Sequence, residues 1–199
     1  MLKIGITGGI GTGKTTVCRI FESFGTPIFD ADRAAKQIMN TDPDLISRIK
    51  QAFGDQAYLS GGELDRKYLA GKVFNDQRAL DQLNALVHPA AIKAFIDWAA
   101  EQSAPYIVKE AAILFESGSH RDCDYTILVT AGESVRIARV MKRDGIDEES
   151  VRYRMSKQMP EEEKEQLADF IIQNNGTQAL LPQVLKLHQH FLKMASADE

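Results

Sequence analysis

Cysteine is scarce. Cys18 and Cys123 are the two in 199 residues, and neither belongs to a Cys-x-x-Cys pair. That excludes a disulfide framework and a thiolate zinc site, and leaves two reduced, structural thiols. Long apolar runs are missing as well. Leu2–Thr7 is too short for the core of a signal sequence, and no run approaches the roughly 20 residues needed to span a bilayer. A cytoplasmic protein without a membrane partner is expected. An excess of positive charge is also absent: the net charge is −4, so there is no global attraction to nucleic acid, and no nucleic-acid partner is expected. No repeat, low-complexity segment or linker interrupts the chain. With 44% hydrophobic and 26% charged residues it reads as one globular domain over 1–199, large enough for a substantial core.

What the chain does have is concentrated near its start. Gly8-Gly9-Ile10-Gly11-Thr12-Gly13-Lys14-Thr15 follows the apolar run and fits Gly, four residues, Gly-Lys-Ser/Thr. Small residues let successive backbone N–H groups curl into an anion-binding nest, and the following helix adds the positive end of its dipole. Lys14 can reach the β- and γ-phosphates, and the Thr15 hydroxyl can ligate Mg²⁺. A glycine-rich turn that only joins two elements is the alternative, and four glycines with Gly-Lys-Thr in this setting make it a poor one.

The periodicity predicts strands over Leu2–Thr7, 27–29, 105–108, 124–129 and 168–172, with helices between them. Pro27-Ile28-Phe29 delivers Asp30-Ala31-Asp32 at a strand's carboxyl end, where open α/β sheets bind ligands. One of these acids could cap the helix expected to start near Arg33 while the other does chemistry. Residues 33–101 read as mainly helical, with a break at Asn40–Pro43, a loop at Gly61-Gly62, one helix from Arg78 to Val87 and another starting near Pro89. So much helix between two strands is long for a crossover and suggests an inserted helical substrate subdomain. Arg136, Arg139, Lys142, Arg143, Arg152 and Arg154 then gather in a segment punctuated by Gly145 and Pro160. Arg139 and Arg143 share a helix face at i, i+4 spacing. Residues 136–166 are read as a basic lid. The last helix carries Leu180, Leu181, Val184, Leu187 and Phe191 on its apolar side, and Ala195–Glu199 is expected to fray. The fold class is therefore α/β: a five-stranded parallel sheet of phosphate-loop NTPase type, flanked by helices.

Three kinds of phosphate-loop protein compete. A GTPase should carry Asn-Lys-x-Asp, which is absent. A motor or transporter module should have a strand ending in Asp before a hydrolytic site, whereas the third strand here ends in Lys109-Glu110. Leu59-Ser60-Gly61-Gly62-Glu63 resembles the signature of transporter ATPases but lies in the wrong place, with Leu64-Asp65-Arg66-Lys67 following it. A small-molecule kinase needs an acid facing the acceptor and a basic lid, and Asp32 and the arginines supply both.

Several local motifs together resemble the dephospho-coenzyme A kinase family. They are the phosphate loop, Asp30-Ala31-Asp32-Arg33, Leu64-Asp65-Arg66, Leu83-Asn84-Ala85-Leu86-Val87-His88-Pro89, Leu114-Phe115-Glu116, Arg139 with Lys142–Gly145, and Ala168-Asp169 with Asn174-Asn175-Gly176. They cover nearly the whole chain in the family's order. The resemblance implies ATP-dependent phosphorylation of the ribose 3′-hydroxyl of dephospho-CoA, with Mg²⁺ and with ATP and dephospho-CoA as partners of a monomer or weak homo-oligomer. By that similarity Asp32, Lys14 and Arg139 act in catalysis. Gly11, Thr12, Gly13, Lys14, Thr15 and Thr16 hold the ATP phosphates, Thr15 ligates the metal, and Asn174 and Asn175 line the adenine site. Thr7, Asp32 and His88 fall on the acceptor's side, and residues 33–101 form the CoA-binding subdomain. One departure stands out: Ala112 occupies the position where many members have proline.

Overall fold

The computed structural model describes residues 1–74 and 76–197. The chain divides into two compact units, Met1–Asp30 with Gln102–Glu199, and Ala31–Glu101.

The first unit is built on a parallel sheet whose strand order, among the described residues, is β2-β3-β1-β4-β5. The strands are β1 (Leu2–Thr7), β2 (Ile28–Asp30), β3 (Tyr106–Glu110), β4 (Tyr125–Thr130) and β5 (Phe170–Gln173). β1 is central because both its neighbours are needed to satisfy its backbone: Ile6 registers with Glu110 of β3 and with Ile127 of β4. Ile4, Ile6, Ile107, Val108, Ile127 and Val129 are fully buried, as expected of parallel strands covered on both faces. Helix α1 (Lys14–Ser23) lays Val17, Cys18 and Phe21 on this sheet. Burying a side chain such as Phe21 contributes about 1.5–3 kcal/mol. Phe21 also meets Tyr106 edge-on, with ring centroids 6.4 Å apart. At the far edge Asp169 accepts from the Thr126 backbone and hydroxyl, both at 2.8 Å, which pins the start of β5 to β4. The Ala168-Asp169 motif is thus structural.

The second unit is helical: α2 (Ala31–Thr41), α3 (Pro43–Phe53), α4 (Arg66–Val73) and α5 (Gln77–Ala100). Asp42 caps α3 by accepting from the Asp44 and Leu45 amides, with Pro43 at the first helical position. Leu45, Ile49, Leu64, Leu69 and Val87 form its core. Two expectations fail here. Helix α2 begins at Ala31, not near Arg33, so Asp32 sits inside its first turn while Asp30 closes β2 against Glu110. Pro89 lies inside α5 and does not start a new helix. Proline removes one backbone bond there, but Leu83, Leu86, Val87 and Ala90 pack into the same core on both sides of it, and that burial outweighs the loss.

Back in the first unit, α6 (Glu133–Asp144), α7 (Glu148–Met155), α8 (Glu161–Leu167) and α9 (Leu180–Ala197) complete the described structure. Gly145 ends α6 in the left-handed conformation, and Asp147 caps α7. Helix α9 continues through Ala195 and Ala197, where fraying was expected; Asp198 and Glu199 lie outside the described residues. No helix among the described residues is long and apolar enough to cross a membrane.

Candidate functional site: a phosphate loop closed by an arginine and an asparagine

Residues 8–13 join β1 to α1 as a glycine loop. Gly13 is the N-cap of α1, with φ 91° and no side chain capping the helix, and no acid occupies the first turn. The amides of the helix N-terminus are therefore not taken by a side chain of the first turn or the cap. Gly11 has φ 83°, and a Cβ there would lie 2.6 Å from the Arg136 carbonyl oxygen. A Cβ on Gly13 would lie 2.4 Å from Asn174 Nδ2. Both positions need glycine for the turn and for the close approach. Thr12 is fully buried and its hydroxyl donates to Gly9 O at 2.9 Å, bracing the loop from within. The Lys14 ammonium donates to Gly8 O at 2.7 Å, which folds it back along the loop. Thr15 and Thr16 are exposed at the start of α1.

The residues expected to bind nucleotide are brought together from distant parts of the chain. Arg139 donates through Nη2 to Asn174 O at 3.0 Å, and through Nη1 to the Gly11 and Thr12 carbonyls at 3.4 and 3.5 Å. Asn174 Nδ2 donates to Thr12 O at 2.7 Å. Asn175 turns the other way and accepts from the Gly132 amide at 2.6 Å. Arg139 and Arg143, though on one helix face, have different partners: Arg143 forms a two-pronged pair with Asp144, at 2.7 and 3.1 Å. That hydrogen bond holds the Asp144 carboxyl below the usual carboxylate range. Arg154 joins the same carboxylate, and Arg152 is paired with Glu148 and Glu133.

Thr7 is fully buried at the end of β1, and its hydroxyl donates to Ala112 O at 3.5 Å. Ala112 is thus the backbone partner of the Thr7 hydroxyl. Asp32 and His88, both partly exposed, lie in the helical unit, on α2 and α5.

Sequence reasoning missed Glu110. Its Oε1 accepts from the Thr15 hydroxyl at 3.1 Å, and its strand neighbour is Asp30. The signal is that Lys109-Glu110 ends the third strand, a pair of charges at the ligand-binding end of a parallel sheet. These hard oxygens suit Mg²⁺, which keeps waters and takes one or two protein oxygens beside phosphates. No cluster of three or more His, Cys, Asp or Glu that could hold a metal by itself occurs among the described residues. Glu110 also faces Cys18; burial, with that carboxylate beside it, pushes the thiol far above its ordinary range. Burial pushes Cys123 up to about 11. Both are free, protonated packing residues.

A cavity of about 670 Å³ is lined by Gly9, Gly132, Arg136, Gln158, Glu161 and Asn175 among others. It does not include Gly11–Thr16, so it is not the phosphate nest.

Residues 2–179 match a family model described as dephospho-CoA kinase. A dephospho-CoA kinase of Salinibacter ruber is 42% identical over 180 residues, covering 89% of this chain and 90% of that one. A solved structure from Thermus thermophilus superposes with a TM-score of 0.85 at 36% identity, covering 95% of this chain and 96% of that one. The dephospho-CoA kinase of Campylobacter jejuni does so with a TM-score of 0.70 at 27% identity, over 96% and 97%.

Proposed function

Because the chain belongs to the dephospho-CoA kinase family, we propose that it transfers the γ-phosphoryl group of ATP to the ribose 3′-hydroxyl of dephospho-CoA, giving coenzyme A. The observation that carries the reading is the closed nucleotide site, in which Arg139 and Asn174 both bond the phosphate-loop backbone. The loop amides and the α1 N-terminus hold phosphate, and Lys14 moves from Gly8 O to the transferring group. Arg139 and Asn174 border the nucleotide, with Asn175 fixing the adjacent backbone at Gly132. The Thr15 hydroxyl and Glu110 would hold Mg²⁺, which supplies neutralisation of charge on the β- and γ-phosphates when bound. Asp32, two residues beyond β2, orients the acceptor hydroxyl and takes its proton late, since a carboxylate is a weak base at neutral pH. Positioning and fixed charge thus account for most of the rate.

Residues 31–101 serve as the acceptor-binding part, with His88 contacting substrate but doing no chemistry. Thr7 works indirectly, by holding the backbone at Ala112. The chain acts in the cytoplasm as a monomer or weak homo-oligomer. The test is an assay with ATP, Mg²⁺ and a panel of acceptors. Formation of a 3′-phosphorylated product from dephospho-CoA alone is expected. Transfer to shikimate or a nucleoside instead, or ATP binding without transfer, contradicts the reading.

A further inference from the structure

The amide of Ile10, inside the phosphate loop, is already occupied. It donates to Gln158 Oε1 at 2.8 Å, from a residue 148 positions away. The Ile10 carbonyl accepts from Arg136 Nε at 3.1 Å, and the Ile10 side chain packs on Ile137, Val140 and Val151 of α6 and α7. The Arg136 guanidinium lies so close to Gly9 that a Cβ there would fall 2.3 Å from Nη2. This one loop residue is thus held by its donor, its acceptor and its side chain, all from the segment that follows β4.

Gln158 sits in the α7–α8 connection, and that connection is anchored elsewhere as well. The Met159 amide donates to Glu116 Oε1 at 3.1 Å, and the same oxygen lies 2.7 Å from the ammonium of the buried Lys164. Glu161 pairs with Arg136, and its burial raises its carboxyl pKa in spite of that pair. The cavity beneath the connection is lined by Gln158, Arg136 and Glu161. A half-buried strap with space under it is therefore tied to the loop through a side-chain oxygen on a backbone amide.

Resting on the reading that this loop binds ATP, we propose that Gln158 is a positioning residue. Its carbonyl oxygen keeps the Ile10 N–H out of the phosphate nest, fixes the first half of the loop, and couples loop occupancy to the order of the 155–160 strap. Coupling of this kind is reciprocal: ATP on the loop orders the strap to the extent that the strap favours ATP. Gln158 touches no reacting atom in this scheme.

The test uses the full chain with Q158L, which removes the acceptor, and Q158E, which keeps an acceptor oxygen. Amide exchange is followed with and without ATP and Mg²⁺, beside KM for each substrate. In the parent, Ile10 is protected without nucleotide and ATP slows exchange over 155–160. Q158L exchanges Ile10 about tenfold faster, loses most of the ATP-induced protection of the strap, and raises KM for ATP about tenfold while that for dephospho-CoA holds. Q158E restores Ile10 protection in the ATP-free chain. If Q158L does not fold, Q158M, similar in length and without the carbonyl, gives the same reading. Parental protection of Ile10 in the variant lacking the acceptor, or an equal rise in both KM values, overturns the proposal. Protection of Ile10 is measured without nucleotide, so a parent that fails to bind ATP contradicts the functional reading and leaves the contact separately tested.

Discussion

The sheet-based unit and the helical unit of this chain are built by different means. In the first, backbone geometry shapes the proposed nucleotide site: glycines at 11 and 13 let the loop close against Arg136 and Asn174, and the helix N-terminus carries no side-chain cap. In the second, the core is ordinary amphipathic packing around Leu45, Ile49, Leu69 and Val87, and a single partly exposed acid, Asp32, stands in the first turn of α2. The contrast divides the labour. Damage to the first unit should appear in the handling of ATP, and damage to Asp32 in turnover.

The largest effect expected in the first unit is that of Lys14→Met. Losing the only ammonium of the loop should lower kcat/KM about 10²–10³-fold, because a fixed charge facing the transferring phosphoryl group is lost; steady-state kinetics at varied ATP measures it. Next comes Gly11→Ala. A methyl 2.6 Å from the Arg136 carbonyl, at φ 83°, forces backbone apart and should cost about 2–3 kcal/mol in a denaturant titration, with ATP binding lost in parallel.

How much of this was legible beforehand differs by element. The loop, the helix break at Asn40–Pro43 and the Gly145 stop are local chemistry, and a local reading finds them. Pro89 misled because its cost is local while the packing that overrides it is not. The start of α2 misled because either aspartate could have been the cap. Glu110 on Thr15, Asn174 on Thr12 and Gln158 on Ile10 join residues 95, 162 and 148 positions apart. Such pairings exist only once the strand order β2-β3-β1-β4-β5 brings the strand ends side by side, and no periodicity encodes them.

A smaller effect is expected of Arg139→Ala. Its guanidinium ties Asn174 to the loop carbonyls, so KM for ATP should rise about tenfold with KM for dephospho-CoA unchanged. Arg139→Lys should not rescue it, since an ammonium cannot span Asn174 and Gly11 as the planar fork does. A comparable rise in both constants would blur the division between the units. The smallest effect belongs to Asp144→Asn. The pairs with Arg143 and Arg154 are exposed, so the neutral-pH unfolding midpoint should fall only slightly. The Asp144 carboxyl is held low chiefly by its bond to Arg143, so its contribution is present above the ordinary carboxylate range and fades as pH falls through the lowered value. The asparagine variant should therefore lose that part of the acid sensitivity, as midpoints measured down the acid limb would record.

The division of labour is tested most directly by Asp32→Asn, with ATP affinity measured by calorimetry on the same preparation used for turnover. Asparagine keeps the size and the hydrogen-bonding edge of the side chain but cannot accept the hydroxyl proton. The predicted result is turnover lowered about 10²-fold or more, with ATP affinity nearly that of the parent. Near-normal turnover, or ATP affinity lost together with turnover, would contradict the assignment of the ATP phosphates to the loop and of the acceptor hydroxyl to Asp32.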